Sequence, residues 1–215
     1  MKKMGSIALL CLVSVMAAGC ARFPYRVGLA EGHAAQPESE FITAAVYNKM
    51  GVNYESAGQY ENAVQAYRKC LASEPKNDLA RTNLGNALAK LCRFKEAERC
   101  YRDVLSRDPQ NLAALNNLAW LLVSIGEAQA CEEGVEIATR CLTLAAGVEP
   151  AVLPSLLDTL AWGNHRLQRE HEALRHIQEA ADLLGAELNN NPLIWGHYRI
   201  IAKNQAKVSQ QSEAP

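Results

Sequence analysis

One motif, recurring at a spacing of about 34 residues, constrains this chain more than any other feature. Its first copy carries Tyr47, Met50, Gly51, Tyr54, Gly58, Tyr60, Ala63, Tyr67 and Pro75. In the second copy the same places hold Arg81, Leu84, Gly85, Leu88, Cys92, Phe94, Ala97, Tyr101 and Pro109. A period of this length is one helix-turn-helix unit, which cannot bury its apolar face alone and must stack on a neighbour. The chain is therefore predicted to be an all-α solenoid of about four repeats.

Composition agrees with that class. Aromatic residues make up only 6% of the chain, and Ala and Leu dominate over β-branched alternation. The 22 basic and 23 acidic residues nearly cancel, and no basic run occurs in the body of the chain. Nucleic acid is an unsuited partner for such a surface.

Residues 1–19 read as an export signal. Lys2 and Lys3 form the basic region, Ile7 to Met16 the apolar region, and Ala17-Ala18-Gly19 the small residues before a cleavage point. The apolar stretch is too short to span a membrane. Met16-Ala17-Ala18-Gly19-Cys20 resembles a bacterial lipobox, with Ala17 where that family usually has Leu. The resemblance implies that Cys20 becomes the lipidated first residue, with more acyl chains than the single-chain limit for stable anchoring. The alternative is an ordinary secretory peptide that leaves a spare Cys. Ala21 stands where an Asp would hold such a lipoprotein at the inner membrane. That implies the periplasmic face of the outer membrane. Residues 20–40, with Pro24, Gly28, Gly32, Pro37 and Ser39, read as the lipidated Cys and a flexible tether.

The solenoid is expected over 41–206. Its first repeat has helices near 41–57 and 60–73, turning at Gly58. The second has helices near 77–91 and 94–107, ended by Asp108-Pro109. Asn111 caps a helix running to Gly126. About three extra residues then precede Gly134, so an enlarged turn is predicted at 126–131 and a helix at 132–145. Gly147 to Pro150 break the chain. A weaker fourth repeat has helices near 154–168 and 170–186. Asn189-Asn190-Asn191-Pro192 is a stop, and a capping helix near 193–206 covers the apolar end. Residues 207–215 are expected to be a disordered tail.

Over 44–187 these landmarks resemble the tetratricopeptide repeat family. Small residues at Gly51, Gly85, Ala119 and Ala161, and at Ala63, Ala97, Gly134 and Ala173, let paired helices approach. Tyr67 and Tyr101 fill the remaining space. The resemblance implies a right-handed superhelix whose first helices line a concave groove. Its groove register falls on Ala45, Asn48, Val52 and Glu55, then on Leu79, Thr82, Asn86 and Ala89. Ala113, Asn116, Trp120 and Val123 follow, then Ser155, Asp158, Trp162 and His165. Spacings of three and four put each set on one helical face. The partner-binding set is thus Asn48, Val52, Glu55, Thr82, Asn86, Asn116, Trp120, Asp158, Trp162 and His165. Asn amides pair with a peptide backbone in either polarity, and large indoles anchor partners. Both Trp residues are equally compatible with packing between helices, and the Asn ladder with a solvated face. Lys49, Lys90 and Arg166 stand only at the margins, which argues against clamping of a C-terminal carboxylate.

Other chemistry is sparse. His171 and His176 are similar to a zinc helix, but five residues apart they lie about 140° around the helix. No phosphate-binding, nucleophile-elbow or dinucleotide motif is present, so neither a cofactor nor a metal is expected. Cys70 and Cys141 share a small-residue position and read as buried thiols. Cys92, Cys100 and Cys131 read either as free thiols or as containing one disulfide in an oxidising compartment.

Asn116-Asn117-Leu118-Ala119-Trp120 and Asp158-Thr159-Leu160-Ala161-Trp162 look like runs from bacterial envelope members of the family. Together with the anchor, they make the chain similar to tight-adherence pilus assembly lipoproteins and secretin pilotins. The function so implied is an outer-membrane-anchored adaptor that binds a protein partner in the periplasm, helping a pilus or secretin component to assemble. An accessory of polysaccharide export or of cell-wall machinery is the alternative. An enzyme is the contrasting class, with no motif to support it.

Overall fold

The computed structural model describes residues 43–145 and 150–212. The expected signal, Cys20 anchor and tether lie outside the described residues. So does most of the break at Gly147 to Pro150.

Nine α-helices follow one another among the described residues: α1 (Ala44–Ser56), α2 (Tyr60–Ser73), α3 (Asp78–Lys90), α4 (Phe94–Arg107), α5 (Leu112–Ile125), α6 (Ala128–Ala145), α7 (Leu153–Arg166), α8 (Glu170–Leu184) and α9 (Pro192–Ser212). Short 3₁₀ turns at Pro150–Val152 and Gly185–Asn190 precede α7 and follow α8. None of these helices is long and apolar enough to cross a membrane.

The starts of the first helices repeat with the sequence. Side-chain oxygens of Thr43, Asn77 and Asn111 accept the backbone N–H of Val46, Ala80 and Ala114 at 3.4, 2.9 and 3.1 Å. Each satisfies one of the donors that a helix start leaves free. Asn191 does the same for Ile194 at 3.2 Å, after the predicted stop. Thr43 also explains why α1 begins later than Phe41.

The turns inside repeats use one backbone conformation. Gly58, Cys92, Gly126 and Gln168 have φ of 71°, 58°, 81° and 60°. Only glycine adopts this region without steric cost, so Cys92 and Gln168 carry a small strain.

Helices pack in pairs, α1 with α2 through α7 with α8, and each second helix packs on the next first helix. The first helices also touch one another in series, from α1 to α3, α5, α7 and α9. They therefore form the inner wall, which is the groove surface. Within each of the first two repeats a tyrosine lies over a glycine. A Cβ on Gly51 would stand 2.4 Å from the Tyr67 ring, and one on Gly85 would stand 2.5 Å from that of Tyr101. Ala63, Ala97, Ala119, Ala161 and Ala173 are fully buried, as the small-residue pattern requires.

Three boundaries differ from expectation. The enlarged turn at 126–131 is only Gly126-Glu127; α6 starts at Ala128, and the extra residues lengthen the helix. Ala128, Gln129 and Ala130 favour helix, and buried Cys131 donates its thiol to the Val123 carbonyl at 3.7 Å. Helix α8 stops at Leu184 because Gly185 turns the chain at φ 51°. Helix α9 runs to Ser212, past the expected end at 206, since no Gly or Pro interrupts Ala202 to Ser212.

Candidate functional site

The groove-facing side chains fall into three groups. On α1, Asn48 accepts a hydrogen bond from Asn83 at 3.5 Å, and Val52 stays 41% exposed. Thr82 does not belong to the open surface. It is buried, and its hydroxyl donates to the Asp78 carbonyl at 2.9 Å. Asn83, one position on, is the α3 residue that meets Asn48.

Glu55, Asn86 and Trp120 come together around a cavity of about 340 Å³. Ala89, Lys90, Phe94, Tyr101, Asn117, Leu121 and Ser124 complete its wall. The tyrosines that fill the repeats set its polarity. The Tyr67 hydroxyl donates to Glu55 at 2.9 Å, and the Tyr101 hydroxyl to Asn86 Oδ1 at 2.8 Å. Burial pushes both phenols well above their usual range, so both stay protonated donors. Asn117 also donates to Asn86 Oδ1, at 2.8 Å. The orientation of these amides is thus fixed from behind, and Lys90 is the cation at the wall.

Asn116, Trp120 and Asp158 border a second cavity, of about 170 Å³, with Asn117, Ser155, Thr159 and Leu193. Trp120 and Asn117 stand in both walls, so the two spaces adjoin at these residues. Asp158 borders this cavity with little exposed surface. It is 2% exposed, and its Oδ1 lies 2.7 Å from Nδ1 of His197 on α9. The His197 ring stacks on Trp162 at 4.3 Å and 17°, and lies 5.8 Å from Trp120. His165 also stands near Trp162, 5.3 Å away, and its Nδ1 meets the Glu170 carboxylate at 3.0 Å.

The two indoles therefore part company. Trp120 borders the open groove, whereas Trp162 is covered by the chain's own last helix. His197 was not among the residues expected at the site. Ile194 and Ile201 of α9 pack with Leu157, Ala161, Ala173, Ile177 and Ala180, which seats that helix as a cap.

The remaining candidates are peripheral. Arg166 closes over the Gly126 carbonyl at 3.4 Å. His171 is exposed, and His176 is half-buried with Arg175 donating to its Nε2 at 2.8 Å. Burial, then the Arg175 charge, holds the His176 imidazole below its usual range. No group of three or more metal-ligating side chains occurs among the described residues. Cys70, Cys92, Cys100, Cys131 and Cys141 are all free thiols, so the disulfide considered for three of them is not formed. The buried Cys131 thiol is committed to the Val123 carbonyl.

Two tetratricopeptide repeat models match the chain, over residues 55–104 and 82–130. Residues 55–130 thus resemble tetratricopeptide repeats. The fold extends the same architecture through α7 and α8. Among solved structures, a thermophilic TPR protein of Thermus thermophilus superposes with a TM-score of 0.65 at 14% identity, covering 80% of this chain and 90% of that one. MamA of Desulfovibrio magneticus, from its residue 41 onward, gives 0.58 at 16% identity, covering 80% and 97%. The TPR2B domain of yeast Sti1, solved in complex with pHsp70, gives 0.53 at 22% identity, covering 57% and 97%. At these identities the likeness is one of fold. No curated protein matches the chain in sequence.

Proposed function

We propose that this TPR chain is an adaptor that holds an extended segment of another protein in the groove between α1 and α5, with Trp120 as its anchor. The observation that carries this reading is the cavity of about 340 Å³ at which Glu55, Asn86, Lys90, Phe94 and Trp120 converge. An apolar floor with a few oriented polar groups is the usual make-up of a recognition site. Its amides are held by Tyr101 and Asn117 before any partner arrives, which lowers the ordering cost of binding. His197 of the last helix lies 5.8 Å from Trp120, and the space past that indole narrows to about 170 Å³, so the main chain of the partner is held on the Glu55 side of Trp120.

Lipidation at Cys20 and residence on the periplasmic face of the outer membrane complete the proposal. They rest on the sequence Ala18-Gly19-Cys20-Ala21. A pilus or secretin component is the partner class suggested by the resemblance of the Asn116 to Trp120 run. The test is a crosslinking capture from bacterial envelopes with wild type, Trp120→Ala and Cys20→Ala chains. The proposal expects a secretin or pilus subunit with wild type, loss with Trp120→Ala, and loss of palmitate label and membrane retention with Cys20→Ala. Capture of the same subunit by folded Trp120→Ala would rule out the groove.

A further inference from the structure

The smaller cavity has a chemistry of its own. Its wall consists of Asn116, Asn117, Trp120, Ser155, Asp158, Thr159 and Leu193, with no Lys or Arg among them. The hydroxyl protons of Ser155 and Thr159 are already spent on the Val152 and Ser155 carbonyls, at 2.8 and 2.9 Å, which leaves those oxygens as acceptors. Asn117 spends its amide on Asn86 and so keeps its carbonyl oxygen free. Asp158 uses Oδ1 for His197, while its second oxygen makes no hydrogen bond among the described residues. Asn116 has a side-chain oxygen that is buried without a partner. Rotation of that amide would offer the oxygen to a donor in the cavity. Around an indole, this is a set of acceptors and one carboxylate whose partner is the His197 imidazole, with no Lys or Arg in the wall. A buried carboxylate is costly unless a cation or several donors meet it, and an indole face attracts a cation within about 6 Å.

We propose that this cavity is a subsite for the ammonium group of a lysine side chain on the polypeptide held in the groove. This inference rests on the groove reading above. It adds a chemical requirement: a lysine placed just beyond the residue that packs on the opposite side of Trp120. The space of about 170 Å³ admits the end of one long side chain and excludes a helix. Asp158 supplies the charge, Ser155 and Asn117 the hydrogen-bond acceptors, and Trp120 the apolar and quadrupolar wall for the methylene stem. His197 orients the carboxylate from behind.

The test uses the purified full chain with indole nitrogens labelled for NMR. The probes are blocked lysine (Nα-acetyl-lysine N-methylamide) and its uncharged analogue, blocked norleucine. The three indole signals are assigned through Trp→Phe variants. Blocked lysine should shift the Trp120 indole signal saturably, and norleucine should not. Asp158→Asn should weaken the lysine response about tenfold. Because that change also touches the His197 contact, Ser155→Val is the second variant, and it should weaken the response while leaving the Trp162 signal in place. Equal response to norleucine, undiminished binding in both variants, or no saturable shift would overturn the subsite. The groove reading stands or falls separately, by whether the polypeptide still crosslinks beside Lys90.

Discussion

Nδ1 of His197 lies 2.7 Å from Oδ1 of Asp158 and joins the last helix to the groove wall of the fourth repeat. The pair is buried, with exposures of 8% and 2%, and Asp158 borders the smaller cavity. His197→Ala leaves the Asp158 carboxylate without its donor and is expected to cost about 1–3 kcal/mol. Urea unfolding checks this, with Trp162 fluorescence changing as the stacked imidazole is lost. An unchanged midpoint would show that the cap is held by Ile194 and Ile201 alone.

The tyrosine-on-glycine contacts give a sharper packing test. Gly85→Ala puts a methyl group 2.5 Å from the Tyr101 ring, and that ring is pinned by Asn86 behind it. A loss of about 1–3 kcal/mol is expected from overpacking. Because the displaced Tyr101 also orients Asn86, partner affinity should fall along with stability. Calorimetric unfolding together with a binding isotherm separates the two effects.

At the turn between α3 and α4 the opposite sign applies. Cys92 holds φ 58° with an exposed side chain, at the place where the first repeat has Gly58. Cys92→Gly should relieve about 1 kcal/mol of left-handed strain, less the entropy gained by the unfolded chain. A small rise in melting temperature is expected, and a fall would mean the thiol makes a compensating contact.

Much of this was legible because stacking reuses the same positions. Gly51 and Gly85, and Tyr67 and Tyr101, each recur at one spacing, since each performs the same packing task in its own repeat; of the caps, only Asn111 is read from the sequence, and the structure adds Thr43 and Asn77 at the same spacing. The start of α6 was misplaced because an insertion can lengthen a loop or a helix, and Ala128 to Cys131 contain no breaker that chooses the loop. His197 was invisible for a different reason. The 3₁₀ turn at Gly185–Asn190 shifts α9 out of the repeat register, so no periodic bookkeeping leads to it. That one side chain also decides the fate of the two indoles. Trp120 and Trp162 hold equivalent sequence positions, yet only Trp162 is stacked beneath the imidazole.

Thiol chemistry follows burial. Cys70, Cys131 and Cys141 are at most 1% exposed, and burial pushes the Cys141 thiol up to about 11. At pH 8 Cys141 is therefore neutral and shielded, since a thiol reacts as thiolate and this one ionises only above its raised value. Alkylation mapped by mass spectrometry should label Cys92 first. Cys70, Cys131 and Cys141 should react only with denaturant present. Rapid labelling of Cys141 in the folded chain would contradict the packing of α6 against α5.

The central claim is that a partner polypeptide occupies the groove beside Trp120. Its most direct measurement is site-specific photocrosslinking in intact envelopes, with a photoreactive amino acid at position 90 or at position 102. Lys90 borders the cavity of about 340 Å³. Arg102, on the second helix α4, pairs with Glu98 and Glu133 away from the groove. The expected result is one defined polypeptide adduct from position 90, none from position 102, and loss of that adduct in a folded Trp120→Ala chain. An adduct from position 102 alone, or one at position 90 that survives Trp120→Ala, would contradict the account.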